Sequence, residues 1–135
     1  FDTVLERLRT DLAAIGNDVP IMQALRSAAV SSNRYDPQQL PELRMRMTLI
    51  TTVPALQAHS MLRYAAWRAV VADYVAQRTG HPVDGLIPQT IAHAALGVST
   101  AAFTSWVNDD SQDLEDNLDR GYANLATGWS ITLDR

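Results

Sequence analysis

Apolar residues recur along this chain at intervals of three and four, the period of a helix with one buried face. Over positions 1–15 they fall at Phe1, Val4, Leu5, Leu8, Leu12 and Ile15, with Arg7 and Asp11 paired four apart outside that face. Gly16-Asn17 stops the pattern. Asp18 and Pro20 restart it, and Ile21, Met22, Leu25, Ala28 and Ala29 keep the period until the polar run SSNRYD. Asp36-Pro37 reads as an N-cap with a first-turn proline, opening a third helix through Leu43, Met47 and Ile50 whose start Pro41 is placed to delay. Val53-Pro54 closes it.

The fourth helix, Pro54 to Arg78, is apolar all round between Leu62 and Ala76, which predicts burial on several sides. Tyr64, Trp67, Val71 and Tyr74 form an aromatic stripe on it, and Ala65, Ala69, Ala72 and Ala76 a small-residue face. Gly80 and Pro82 end it. A fifth helix, Leu86 to about Asn108, carries two apolar faces: Ile91, Ala95, Val98, Ala102 and Trp106 on one, Ala92, Leu96, Phe103 and Val107 on the other. It therefore needs two partners. The sixth, from about Ser111 to Trp129, has a narrow seam of Leu114, Leu118, Leu125 and Trp129, flanked by Gly121 and Tyr122, which suits helix-to-helix pairing. The one strand signal is a short WSITL near the end, so the pattern predicts an all-α bundle of about six helices, a single domain over 1–135.

Composition narrows the function. The 135 residues are 47% apolar and suffice for a substantial core without staples. The absence of cysteine excludes disulfides, thiolate catalysis and zinc–cysteine sites, and fits a reducing compartment. Phe1 to Arg78 holds nine arginines against seven acids, whereas Thr79 to Arg135 holds two against eight, and there is no lysine. Without a basic cluster to neutralise phosphates, this stretch of chain is a poor DNA binder. No apolar run approaches the roughly 20 residues of a membrane span, because AAWRAVV is broken by Arg68. A cytoplasmic protein with no membrane partner is expected. The chain opens at Phe1 with neither methionine nor a signal-peptide profile, which reads as part of a longer protein.

Candidate chemistry centres on WVNDDSQDLEDNLDRG, with six carboxylates from Asp109 through Asp119 and no base among them. Asp109, Asp110 and Asp113 have the spacing with which some helical enzymes hold magnesium and a diphosphate, but no second acidic cluster is present to share the ion. The commoner reading is a helix end and restart, with Asp109-Asp110-Ser111 capping and the following acids favoured by a helix N-terminus. His59, His81 and His93 share no metal-ligand spacing, so neither metal nor cofactor is expected. Arg63 and Arg68 on the apolar fourth helix require partners, either carboxylates, Trp67 or the polar end of a ligand pocket. Met22, Met45, Met47 and Met61 are adaptable packers that also suit pocket walls. There is no G-x-S-x-G, Gly-rich phosphate loop or lysine to argue for covalent catalysis, and no enzyme is expected.

The run LRYAAWRAVVADYVAQRTGHPVDGLIPQTIAHAALGVSTAAFTSWV, followed by the acidic turn and LEDNLDRGYANLATGW, resembles the C-terminal domain of TetR-type transcriptional repressors. The carriers are a long alanine-rich helix ending in R-T-G, a loop with an aspartate, a small-residue helix reaching a tryptophan, and a last helix with a leucine seam and a late glycine. Arginine and alanine without lysine is similar to actinobacterial members of the mycofactocin-regulator type. The resemblance implies a domain for effector binding and homodimerisation. Operator DNA would be bound only through a helix-turn-helix head upstream of residue 1. It implies a small, apolar effector among the first five helices, with Met22, Met61, Tyr64, Trp67, Arg68 and His93 as lining. It implies a four-helix dimer bundle from the last two helices, with Leu96, Phe103, Val107, Leu114, Leu118, Tyr122 and Leu125 at the interface. Ligand binding would then shift the dimer to a geometry that releases the operator, coupled through the first helix. The alternatives are a magnesium- and diphosphate-dependent enzyme using Asp109, Asp110 and Asp113, or a helical interaction module without ligand.

Overall fold

A computed structural model describes residues 2–128, and among these six α-helices carry the fold: α1 (Asp2–Ala14), α2 (Ile21–Ser32), α3 (Leu40–Thr52), α4 (Pro54–Thr79), α5 (Leu86–Asn108) and α6 (Leu114–Ala126). The all-α expectation holds for them. WSITL, which begins at Trp129, lies outside the described residues, while the sixth helix, expected to run to about Trp129, ends at Ala126 with Thr127 as its C-cap.

Five helices close a ring in which each packs on the next, α1 on α2, α2 on α6, α6 on α5, α5 on α4 and α4 on α1, while α2 also touches α4 across the middle. The interior of the ring is the core. Leu5, Leu8 and Leu12 enter it from α1, Ala24, Leu25, Ala28 and Ala29 from α2, Val71 and Val75 from α4, Ala92 and Ala95 from α5, and Leu118 and Tyr122 from α6. Small residues on α2 and α5 let the longer side chains of their neighbours approach closely. The helix α3 stands outside the ring against α4 and α5 and buries only Leu43.

Local chemistry sets the boundaries. Pro37–Gln39 form a short 3-10 turn before α3, with the Gln39 side chain accepting from the Asp36 N–H at 3.0 Å, so the helix proper begins where Pro41 predicts. Gly80 ends α4 at φ 77°, a left-handed conformation that costs glycine nothing, and its N–H donates to Ala76 O at 2.8 Å. Asp113, not Asp110, is the N-cap of α6, accepting from the Asp116 N–H at 2.9 Å, so that helix starts three residues later than its first predicted position.

Two readings of burial change. The fourth helix is predicted to be buried on several sides, yet Met61 is 69% and Leu62 72% exposed, with Ala65 and Ala69 also outward. Only the inward edge of Ser60, Trp67, Val70, Val71, Ala72 and Val75 is buried. The sixth helix's seam is spent inside the chain: Leu114, Leu118 and Tyr122 are 4%, 0% and 0% exposed, wedged between α5 and α2. The seam pattern marks a helix that pairs, and here its partners belong to the same chain. A further correction concerns α5, whose 23 residues are long and apolar enough by length and composition to cross a membrane. It packs on α3, α4 and α6, and polar Thr90, His93 and Thr104 lie on its exposed side.

Candidate functional site

Where α3 leans across the ring, a cavity of about 620 Å³ opens between α1, the α2–α3 connection, α3, α4 and α5. Its apolar wall is Leu43, Met47, Ile50, Trp67, Leu96 and Phe103. This volume is in the range of small-molecule sites. Trp67 and Tyr64 reach it because the aromatic stripe of α4 faces inward, and burial raises the Tyr64 phenol above its ordinary value.

A polar end completes it. Arg7, Arg34, Arg46 and Arg63 line the cavity against a single acid, Glu42. Arg34 is paired with Glu115 at 2.9 Å, outside the cavity wall, and Arg46 loosely with Glu42 at 3.8 Å. The Arg7 guanidinium lies 5.9 Å from the centre of the Tyr35 ring and donates from Nη1 to Arg34 O at 3.2 Å. Burial raises the Tyr35 phenol, an effect that Arg7 and then Arg46 oppose by Coulombic attraction for the phenolate. Most neutral polar groups on the wall are already satisfied: Ser60 donates to Leu56 O at 2.8 Å, Asn33 Nδ2 to Ala29 O at 2.9 Å, and Ser99 shares a 2.7 Å bond with Tyr122.

Of the residues expected to line a pocket, the structure brings Tyr64 and Trp67 together here and leaves four elsewhere. Met22 faces an open groove between α1, α2 and α6. Met61 points to solvent because it sits on the opposite side of α4 from Trp67. Arg68 is half-buried but off the cavity wall, and it makes no ion pair with Asp73 among the described residues. His93 is exposed on the outer face of α5, its Nδ1 bonded to Gln89 O at 2.9 Å. Arg7, Tyr35 and Arg46 were not singled out as lining, whereas Met47 is one of the methionines expected to suit a pocket wall. The signal for Arg7 is its place in the stripe Val4, Arg7, Asp11, which borders the buried Leu5, Leu8, Leu12 face and so turns half inward.

The residues expected at a dimer interface differ in their burial within one chain. Leu96 and Phe103 line the cavity, Leu114, Leu118 and Tyr122 are interior, and Val107 and Leu125 are half-buried. What α5 shows outward is instead Leu86, Thr90, His93, Gly97, Ala101 and Thr104, one stripe at helical spacing. Two carboxylates of the acidic turn, Asp109 and Asp113, are engaged locally. Asp109 accepts from the Ser111 N–H at 3.0 Å and the Ser111 hydroxyl at 2.6 Å, which holds its carboxyl below the ordinary range, and Asp113 caps α6. Among the described residues no group of acids and histidines is arranged to hold a metal ion.

A family model described as the MftR C-terminal domain matches residues 19–130, and the chain belongs to that family. It is also similar to the putative mycofactocin biosynthesis transcriptional regulator MftR of Mycobacterium tuberculosis (strain ATCC 25618 / H37Rv), with 36% identity over 128 residues. That match takes in 95% of this chain and 65% of the relative's length. The family is one of regulators and not of enzymes, which leaves the magnesium and diphosphate reading unfavoured.

Proposed function

We propose that this chain is the effector-binding and homodimerisation domain of a cytoplasmic TetR-type transcriptional repressor, and that a small ligand entering the cavity under α3 releases operator DNA held by a separate head. The observation that carries this is the cavity itself. It is walled by Trp67 and Phe103 on core helices and by Arg7 on α1, so occupancy acts on the first helix directly. DNA contact falls to the additional length that the mycobacterial relative has, since the acidic second half of this chain offers phosphate no basic surface.

Homodimerisation is assigned to the outward stripe of α5 together with the apolar Met61 and Leu62 of the adjacent α4, surface that a single chain leaves in water. Gly97 and Ala101 would let the two copies of α5 approach closely. A Cβ at Gly97 meets nothing within 4 Å, so Gly97→Arg tests the face without disturbing the fold. Light scattering at micromolar concentration should give a dimer for the parent and a monomer for G97R. A monomeric parent would remove the dimer, and a dimeric G97R would move it to another face. For the effector, a Trp67→Ala protein should lose at least tenfold in affinity for 1-decanol by calorimetry, and unchanged binding would take the site away from this cavity.

A further inference from the structure

We infer that the ligand of this cavity carries a carboxylate, and that Arg7 receives it through its Nε and Nη2 edge. The inference rests on the cavity being the ligand site.

The guanidinium of Arg7 has three faces to satisfy and the protein satisfies one. Nη1 donates to Arg34 O at 3.2 Å. Nε is buried without an acceptor, the one such buried side-chain atom among the described residues, and Nη2 beside it makes no hydrogen bond there. Among the described residues no carboxylate pairs with Arg7, whereas Arg34 and Arg46 have Glu115 and Glu42, and Arg63 is also engaged. A buried donor with nothing to accept from it is a rare feature of a folded protein, met by an ordered water, an ion or a ligand group.

The free edge has a definite shape. Nε and Nη2 lie parallel and match the two oxygens of one carboxylate. The same protein shows what that edge does when an acid is in reach: Arg26 holds Asp119 through Nε at 2.6 Å and Nη2 at 2.8 Å. Arg7 carries the same two donors, lines the cavity, and has no acid of its own among the described residues. The far wall is apolar, from Leu43, Met47, Ile50, Trp67, Leu96 and Phe103, so the rest of the ligand is hydrocarbon. An organic acid with an apolar body therefore fits, which adds a charged head group to the small, apolar effector that the resemblance implies. Within the cavity it would face Glu42 as the one opposing charge, and that carboxylate is already drawn toward Arg46.

Calorimetric titration of the protein with decanoate and with 1-decanol at neutral pH separates the head group from the chain. Decanoate should bind at least tenfold more tightly than decanol. Arg7→Met should bring decanoate down to the decanol level while leaving decanol unchanged, and Arg7→Lys, which keeps the charge but loses the paired edge, should fall between. Melting curves of both variants show whether they fold, and the decanol titration confirms that the cavity persists. Equal binding of the two probes by the parent, or a decanoate preference that survives R7M, would overturn the inference while leaving the cavity as the ligand site. Binding of neither probe would overturn both.

Discussion

The Arg44 guanidinium lies 4.2 Å from the centre of the Trp106 ring, and its Nη1 donates to Trp106 O and Val107 O. One side chain of α3 thus caps the C-terminus of α5, whose own last turn has no basic residue. Because α3 buries only Leu43, this clamp is a large part of what holds the cavity's roof in place. Arg44→Met should lower stability by about 1–2 kcal/mol, the sum of a cation–π contact and hydrogen bonds to a helix end. Arg44→Lys should recover part of it. The measurement is a shift in urea midpoint at unchanged slope, and a shift below about 0.3 kcal/mol would mean that water satisfies those carbonyls equally well.

Helices α5 and α6 meet at Gly121, where an added Cβ would come within 2.7 Å of Val98 Cγ1. A short β-branched side chain inside a packed seam has little room to turn away. Gly121→Ala is therefore expected to destabilise by about 1–3 kcal/mol, although alanine is the better helix former. Val98→Ala in the same chain should restore much of the loss. A G121A protein as stable as the parent would show that the two helices separate at little cost.

Helix number, order and nearly every boundary were legible in the sequence, because they rest on short-range chemistry: Gly80 and Pro82 after the long helix, Asp36-Pro37 before the third, apolar residues at three and four. The partners of each face were less legible. Periodicity says that Leu114, Leu118 and Tyr122 need something apolar, and it is silent on whether that is α2 of the same chain or a second copy. For the cavity, the inward direction of Tyr64 and Trp67 followed from their shared stripe with Val71. Arg7 and Tyr35 meet across a sequence separation that no local pattern encodes, through the packing of α1 on the end of α2. The four residues expected in the pocket but found elsewhere were chosen by chemistry type. Type does not fix which side of a helix a residue occupies.

The placement of Leu118 separates interior from interface by experiment. At 0% exposure within one chain, Leu118→Ala should cost about 2–5 kcal/mol through lost transfer energy and a cavity. It should leave the oligomeric state of the folded protein untouched in light scattering at low temperature. Dissociation of a folded dimer by L118A, with no loss of thermal stability, would instead place this residue between copies.

The Arg26–Asp119 pair ties α2 to α6 through two short hydrogen bonds, and the guanidinium holds the Asp119 carboxyl below its ordinary value. A depressed carboxyl contributes stability above its unfolded pKa and loses that contribution as pH falls through the folded one. The window thus opens below about pH 4, the ordinary range of an aspartate, and nothing of the effect is lost near neutrality. Both side chains are close to half exposed, so solvent screening limits the worth of the pair to roughly 0.5–1 kcal/mol despite its geometry. Asp119→Asn should lower the urea midpoint by that amount at pH 7. The difference from the parent should shrink in high salt and vanish once acid has protonated the parent's carboxyl. A D119N deficit that stayed constant down to strongly acidic pH would assign the loss to packing between α2 and α6 and not to charge.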